Sequence, residues 1–380
     1  MKFKKVVFFF VFLILLAYAN SLGNDFVSDD LTGIVYNQNL IKPDFAYFFK
    51  RPFHFVGRLV NFVIYKTAGL KPFAYRLSNL FFHLGAVWLI YALVSLTMNS
   101  KLAFFVAAIF AIHPIQTESI TWISGASYPQ YSFFLLLSIF TYILAAKKKN
   151  SHLTKLYFVS ILAFIFSLLS SEKAIVLPLI ILFYEISQKK LNKNWKKLIP
   201  FFFLTFASAI LLLKEAVWRT GVLEQTHYQE KVFYNPLIQI PIAITSYLEL
   251  IFWPKNLTLY HSEMFFSQTE YLFRLGIFVL FLAAIAFSFK KNRFLFFWLV
   301  FFFITLLPTL TPFGISWIVA ERYTYLGSLG IIISAVWLVS KIGRKIKKEK
   351  IFLGLFAVII IALLGRTIQR NADWKNQDTL

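Results

Sequence analysis

Apolar residues in this chain come in long unbroken runs, with neither the stripe of a surface helix nor the alternation of a half-buried strand. Inside hydrocarbon each backbone amide must bond within its own segment, so such runs are read as membrane-crossing helices. They fall at 6–22, 77–97, 102–117, 128–146, 155–171, 174–188, 198–213, 272–289, 294–310, 322–341 and 351–366. About eleven spans place the two ends of the chain on opposite sides. Several are short for a bilayer, so an extra turn is expected beyond their ends.

The polar breaks alternate in character. One set is short and basic: Lys2, Lys4 and Lys5; Lys101; Lys147, Lys148, Lys149 and Lys155; Lys189 to Lys197; Lys290 to Arg293; and Lys341 to Lys350. It holds more than half of the 39 Lys and Arg, which makes its side cytoplasmic by the positive-inside rule. The other set, at 23–76, 113–128, 171–173, 214–271, 311–322 and 367–380, then faces outward. The stretch PLIQIPIAITSYLELIFW (236–253) is apolar too, but as a span it would carry Lys290 to Arg293 outside. With Pro236 and Pro241 it reads as a re-entrant or interfacial helix. In the first outer loop, FHFVGRLVNFVIY (53–65) places Phe53, Val56, Val60, Val63 and Ile64 on one helical face, which suits a helix lying on the membrane surface.

The expected organisation is a single membrane domain over 1–380. It runs from a first span or signal anchor (1–22) through a long outer loop (23–76) to spans two to seven (77–213). An outer segment with the re-entrant helix (214–271), the last four spans (272–366) and an outer tail (367–380) follow. MKFKK, an apolar stretch and AYA before Asn20 also fit a cleaved signal peptide. The many spans that follow favour a retained one.

Composition agrees and excludes other classes. At 59% hydrophobic, with 47 Phe and a mean hydropathy of +0.68, 380 residues hold more apolar surface than one soluble core can hide. The net charge of +22 does not indicate nucleic acid, because the basic residues sit in short clusters between apolar runs, as suits lipid headgroups. There is no Cys, so no disulfide or thiolate metal site, and the scattered His residues give no metal-ligand spacing. No metal or cofactor is expected. No repeat of 20–50 residues is evident. The Cys-free, Lys- and Phe-rich chain suggests a bacterial or archaeal cell membrane.

The outer loops gather unusual residues. GNDFVSDDLTG (23–33) carries Asp29 and Asp30 where the chain leaves the first span. AIHPIQTESITWISG (111–125) carries His113, Glu118 and Trp122, and SSEKAIVLP (170–178) carries Glu172 and Lys173. FWPKNLTLYHSE (252–263) carries Tyr260, His261 and Glu263, and VAERYTYLGSLG (319–330) carries Glu321, Arg322, Tyr323 and Tyr325. Ionisable groups at a membrane edge are costly to desolvate and mark sites. Plainer roles exist for each. Asp29 and Asp30 can cap a helix, His113-Pro114 can end one, Glu172 and Lys173 can neutralise each other, and Arg322 can anchor at the interface.

NDFVSDD, FKRPFHFVGRLVNFVIYKTAGLKPFAYRLSNLFFHL, HPIQTESITWISG, SSEKAIVLP and ERYTYLGSLG, in this order across most of 20–335, resemble the multi-spanning glycosyltransferases of the GT-C superfamily. The likeness is to the membrane region of the transmembrane and tetratricopeptide-repeat O-mannosyltransferases and their bacterial relatives. It implies a GT-C-like, all-α bundle that takes a sugar from a polyprenyl-phosphate carrier, not a nucleotide sugar. The sugar, a mannose-like hexose, passes with inversion to a protein hydroxyl or a glycan or lipid acceptor outside the cell. An acidic residue of the first outer loop, Asp29 or Asp30, acts as base. The leaving phosphate needs cations: Arg322 first, since guanidinium holds phosphate bidentately, then Lys173 and Arg51. His113, Glu118, Glu172 and Tyr323 support the sugar or acceptor. The chain departs from the pattern at ASYPQY (126–131), where an Arg and an acidic residue are usual, and in the order Glu172-Lys173, which leaves the sugar open. In relatives with repeats, a segment like RNADWKNQDTL (370–380) leads into them. A transporter or flippase of lipid-linked or small anionic substrates is the main alternative, though nearly charge-free span interiors and charges at one face do not suit it. A ligase of lipid-linked glycans and a non-catalytic scaffold are the others.

Overall fold

The computed structural model describes residues 3–147, 152–226, 236–259, 261, 266–310 and 319–380, and among these it is helical, with no strand. The longer helices are α1 (Phe3–Tyr18), α2 (Phe55–Ala68), α3 (Pro72–Ser95), α4 (Ser100–Ile112), α5 (Ser127–Lys147), α6 (His152–Ser170), α7 (Leu177–Ser187), α8 (Leu191–Thr226), α9 (Pro236–Phe252), α10 (Gln268–Lys291), α11 (Arg293–Leu306), α12 (Ser328–Lys345) and α13 (Glu349–Asn371).

Five helical paths are long and apolar enough to cross a membrane: Pro72–Ser95, Ile123–Lys147, Leu191–Leu213, Gln268–Lys291 and Lys350–Trp374. Ser100–Ile112 with Pro114–Ile120 makes a sixth if taken as one path, bent by 51° where Pro114 interrupts the ladder. Helices stand at the other expected positions, yet they are shorter than the eleven-span reading requires. At 1.5 Å per residue the 16 residues of α1 cover about 24 Å, less than the roughly 30 Å of hydrocarbon. The expected surface helix at 53–65 is largely α2, and the stretch read as re-entrant is α9.

The chain divides into two compact units, Met1–Ala174 with Ala335–Leu380, and Ile175–Ser334. In the first, α1, α4 and α13 run parallel and pack on one another. Their C-terminal ends are tied by polar bonds: Thr367 Oγ1 donates to Ile112 O (2.6 Å) and Asn371 Nδ2 to Ala17 O (2.8 Å). Helix α3 runs back against α4 and α5. Helices α5 and α6 pair antiparallel through small hydroxyls, which let apolar helices approach closely. Ser138 Oγ donates to Ser160 O (2.7 Å) and Ser167 Oγ to Tyr131 O (2.8 Å). This geometry gathers the short basic breaks at one end and the carboxylates at the other, where Arg51, Arg58, Arg76 and Lys173 stand among them. One end of the first unit carries Lys5, Lys101, Lys147 and the run from Lys341 to Lys350; the other carries Asp25, Asp29, Asp30, Glu118 and Glu172.

The second unit packs α7 on α8 and α11, and α10 on α9 and α11. Asn292 starts α11 by accepting from Phe294 N and Leu295 N (both 3.1 Å). Gly330 lets α12 lie against α11, since a Cβ there would stand 2.3 Å from Trp298 O.

Candidate functional site

A tight turn at Val27–Asp30 separates two carboxylates that are equivalent in the sequence. Asp30 N donates to Val27 O (3.1 Å), and the Asp30 carboxylate answers by accepting from Val27 N (3.2 Å). Ser28 sits in the left-handed region at φ 53°, costly for a residue with a side chain and frequent at functional turns. The chain then enters a short π-helical segment, Leu31–Val35, and Asp30 does not cap it with its side chain. Its other oxygen accepts from Ser124 N (2.8 Å) and Ser124 Oγ (2.5 Å). Asp30 is thus fully buried and bonded, while Asp29 is exposed. Burial raises the Asp30 pKa above the ordinary carboxylate value; the Ser124 and Val27 bonds and the Arg76 charge pull it back in part.

A polar stripe on α3 holds the segments that carry these groups. Arg76, Asn79 and His83 lie three and four residues apart, on one face, and all are buried. Arg76 Nε donates to Thr121 O (2.9 Å), and its two terminal nitrogens donate to Asn24 O and Asp25 O. Asn79 Nδ2 donates to Ile120 O and Trp122 O (both 3.2 Å), and His83 Nε2 pairs with Ala111 O (3.0 Å). These bonds satisfy carbonyls of the first loop, of the bend before His113 and of the end of the short helix Thr117–Ile120. His113 Nδ1 accepts from Ile115 N (3.2 Å), so this histidine caps the turn that follows. Glu118 is buried in that turn, and Gly125 passes so close that a Cβ would lie 2.6 Å from Glu118 O.

The C-terminal segment closes the arrangement. Asn371 also donates to Asn20 Oδ1 (2.7 Å), accepts from Thr121 Oγ1 (2.8 Å), and offers its carbonyl to Asn24 Nδ2 (3.0 Å). Trp374 stacks on Trp122 with ring centroids 5.7 Å apart, and Trp122 Nε1 donates to Val27 O (3.4 Å). Asp25 N donates to Lys375 O (2.9 Å) and Ser28 N to Gln377 Oε1 (2.9 Å).

A second group lies in the same unit. Lys173 Nζ pairs with Glu172 Oε1 at 3.0 Å and stands 5.1 Å over the Tyr128 ring. Burial opposes the charged form of Glu172, but Lys173 and His54 outweigh it and hold the pKa at about 2. His54 is pushed down by burial and pulled up by Glu172, with Lys173, Arg58 and Arg51 adding to the depression. Arg51 is half-buried just ahead of Pro52. The neutralising role available to adjacent Glu and Lys is therefore realised, within a larger cationic group.

Arg322 and Tyr323 belong to the second unit, where both are half-buried and the guanidinium lies 5.2 Å from the Tyr323 ring. Beside them Glu321 is buried, 3.9 Å from His261. Tyr260 and Glu263 lie outside the described residues. No cluster of three or more His, Asp or Glu suited to a metal occurs among the described residues. Sequence reasoning singled out Asp29, Asp30, His113, Glu118, Glu172, Lys173 and Arg51, all in the first unit. It missed Arg76, Asn79, Ser124, His54 and Asn371; of these the Arg76–Asn79–His83 spacing was visible.

Compared with known proteins, the chain is 23% identical to human protein O-mannosyl-transferase TMTC3 over 425 aligned positions, covering 96% of this chain and 45% of the human protein. The chain resembles the protein O-mannosyl-transferases along nearly its whole length. Against Caenorhabditis elegans protein O-mannosyl-transferase F38B6.6 it is again 23% identical, over 97% of this chain and 56% of the worm protein. Xenopus laevis protein O-mannosyl-transferase tmtc2 is 26% identical over 64% of this chain and 32% of the frog protein. The chain spans about half the length of the first two. No family model matches, and no solved structure does. These relatives are animal proteins, so the prokaryotic membrane expected from composition draws no support from them.

Proposed function

We propose that this chain is a membrane glycosyltransferase that moves a mannose-like hexose from a polyprenyl-phosphate carrier to a protein hydroxyl on the extracytoplasmic side, with inversion. One observation carries the reading: an exposed carboxylate, Asp29, follows a strained turn locked by its buried neighbour Asp30. The names of the relatives supply the reaction class. A hydroxyl is a weak nucleophile and needs its proton removed as it attacks. Asp29 takes that proton while the acceptor oxygen bonds to the anomeric carbon. The bond from that carbon to the phosphate oxygen breaks, and the lipid phosphate leaves with the electron pair. Asp30 is a positioning residue: its bonds to Val27 and Ser124 fix where Asp29 points.

The departing phosphate gains charge and needs cations that are already in place. Lys173 suits this, since Arg51 and Arg58 stand in the same group with a single carboxylate, Glu172, and the Tyr128 face supports it. Arg51, in the same unit, is a further donor for that phosphate. Glu118 and His113 are assigned to the sugar and acceptor. A cytoplasmic N-terminus agrees with the basic residues gathered at the opposite end of the first unit.

The test is transfer of radiolabelled mannose from polyprenyl-phosphate mannose in proteoliposomes, with a Ser/Thr-rich peptide as acceptor. Wild type is expected to label the peptide, and Asp29→Asn to lose at least about a hundredfold in rate, the scale of one general base. Label that moves to a glycan or lipid instead would change the acceptor. Full activity in Asp29→Asn would remove the assigned base.

A further inference from the structure

At the basic end of the first unit a crevice of about 90 Å³ opens between the start of α4, the end of α12 and the start of α13. Its polar rim is Asn99, Lys101, Ser340 and Arg344; its wall is Leu102, Phe352, Leu353 and Phe356. Lys101 and Arg344 come from helices far apart in the chain, are exposed, and have no hydrogen-bond or ion-pair partner among the described residues. Gly343 sets this geometry. A Cβ there would lie 2.6 Å from the Phe352 ring, so its absence lets the turn after α12 close onto α13 and brings Arg344 to the rim.

We infer that this crevice binds the phosphate of an anionic phospholipid. Two cations on either side of an apolar wall match a headgroup phosphate whose acyl chains leave along hydrocarbon. Basic pockets between membrane helices select such headgroups by this combination. The path for the chains is present: Ile351, Leu355 and Val358 are exposed on α13 and share one face, next to that of Phe352 and Phe356. The crevice holds a phosphate but not a whole lipid, so the tails lie outside it. Asn99 Oδ1 is already engaged by Leu102 N (3.0 Å), which leaves its Nδ2 to donate beside the two cations and the Ser340 hydroxyl. The site is at the opposite end of the unit from Asp29 and takes no part in transfer.

The experiment uses the full chain in neutral detergent, titrated with phosphatidylglycerol or phosphatidylcholine and read by native mass spectrometry, with no sugar donor present. Wild type is expected to retain phosphatidylglycerol over phosphatidylcholine. The double variant Lys101→Ala/Arg344→Ala is expected to weaken phosphatidylglycerol about thirtyfold, from about 1 kcal/mol for each cation. Phosphatidylcholine binding should stay unchanged. Lys189→Ala/Lys190→Ala, the same charge change in the other unit, is expected to lose less than about threefold. Equal losses in both double variants would mean unspecific attraction and overturn the site. So would wild-type affinity in Lys101→Ala/Arg344→Ala. Displacement of phosphatidylglycerol by millimolar inorganic phosphate would mean that a free anion, not a lipid, is the occupant.

Discussion

Replacing Asp30 with Asn separates holding from catalysing. An Asn side chain has one acceptor oxygen. Kept on Ser124, that oxygen still accepts from the backbone amide and the hydroxyl now 2.8 and 2.5 Å away. The amide nitrogen then faces Val27 N, 3.2 Å from the present oxygen, so two donors oppose each other in a buried place. An orphaned buried donor costs about 1–3 kcal/mol, and turning two charge-assisted bonds into neutral ones removes about 1 kcal/mol more from each. Against this, the buried carboxylate carries a desolvation penalty, seen in its raised pKa, and the neutral amide avoids it. The net loss is therefore set at about 2 kcal/mol, or roughly thirtyfold in the equilibrium between ordered and open turn. Limited proteolysis across 23–35, with thermal unfolding followed by Trp fluorescence, measures it. Asp29→Asn should leave both unchanged, because Asp29 is exposed, and should still abolish transfer. Wild-type proteolysis and melting in Asp30→Asn, with transfer lost, would refute the division of labour and make Asp30 the chemical group.

Three further outcomes follow from the same geometry. Asn371→Ala removes three side-chain hydrogen bonds and is expected to lower the melting temperature and expose 23–35 to protease, with Asn371→Asp rescuing little because it cannot donate to Ala17 O. Ser28→Gly is expected to keep or raise stability, whereas Ser28→Val, β-branched at φ 53°, should cost about 1–3 kcal/mol by thermal unfolding. The Glu172 pKa falls from 4.5 to about 2 on folding. The stability from its charge is thus complete above pH 4.5 and is lost as the pH falls towards 2. The melting difference between wild type and Glu172→Gln should be full at pH 6 and shrink on acidification through that window.

Much of this was legible in the chain. The apolar runs mark nearly every helix, since only a backbone that bonds to itself tolerates such surroundings. The short basic breaks reappear together at one end of the first unit, and the carboxylates singled out in the sequence at the other. Span number was not legible, because hydropathy reports apolarity and not whether Pro114 or Pro178 cuts a run short of a bilayer. Within the site, Asp29 and Asp30 are chemically alike, and only the left-handed turn at Ser28 sorts one outward and one inward. Arg76, Asn79 and His83 announce a polar face at the edge of an apolar helix, but their carbonyl partners at 24, 25, 111 and 120–122 lie 28 to 52 residues away and are set only by the tertiary fold. Asn371 gives no local signal at all, its bonds reaching residues 250 to 354 positions away.

That separation has a consequence for how the molecule is made. The turn bearing Asp29 leaves the ribosome long before Asn371, the asparagine that latches it. At about 5–20 residues per second, the 347 positions between Asn24 and Asn371 take roughly 20–70 s to translate. For that interval the nascent chain holds the 23–35 loop without the latch that shapes it. Until Asn371 emerges, the 23–35 loop cannot take the shape that the bonds of Asn371 to Asn20, Asn24 and Thr121 help to fix.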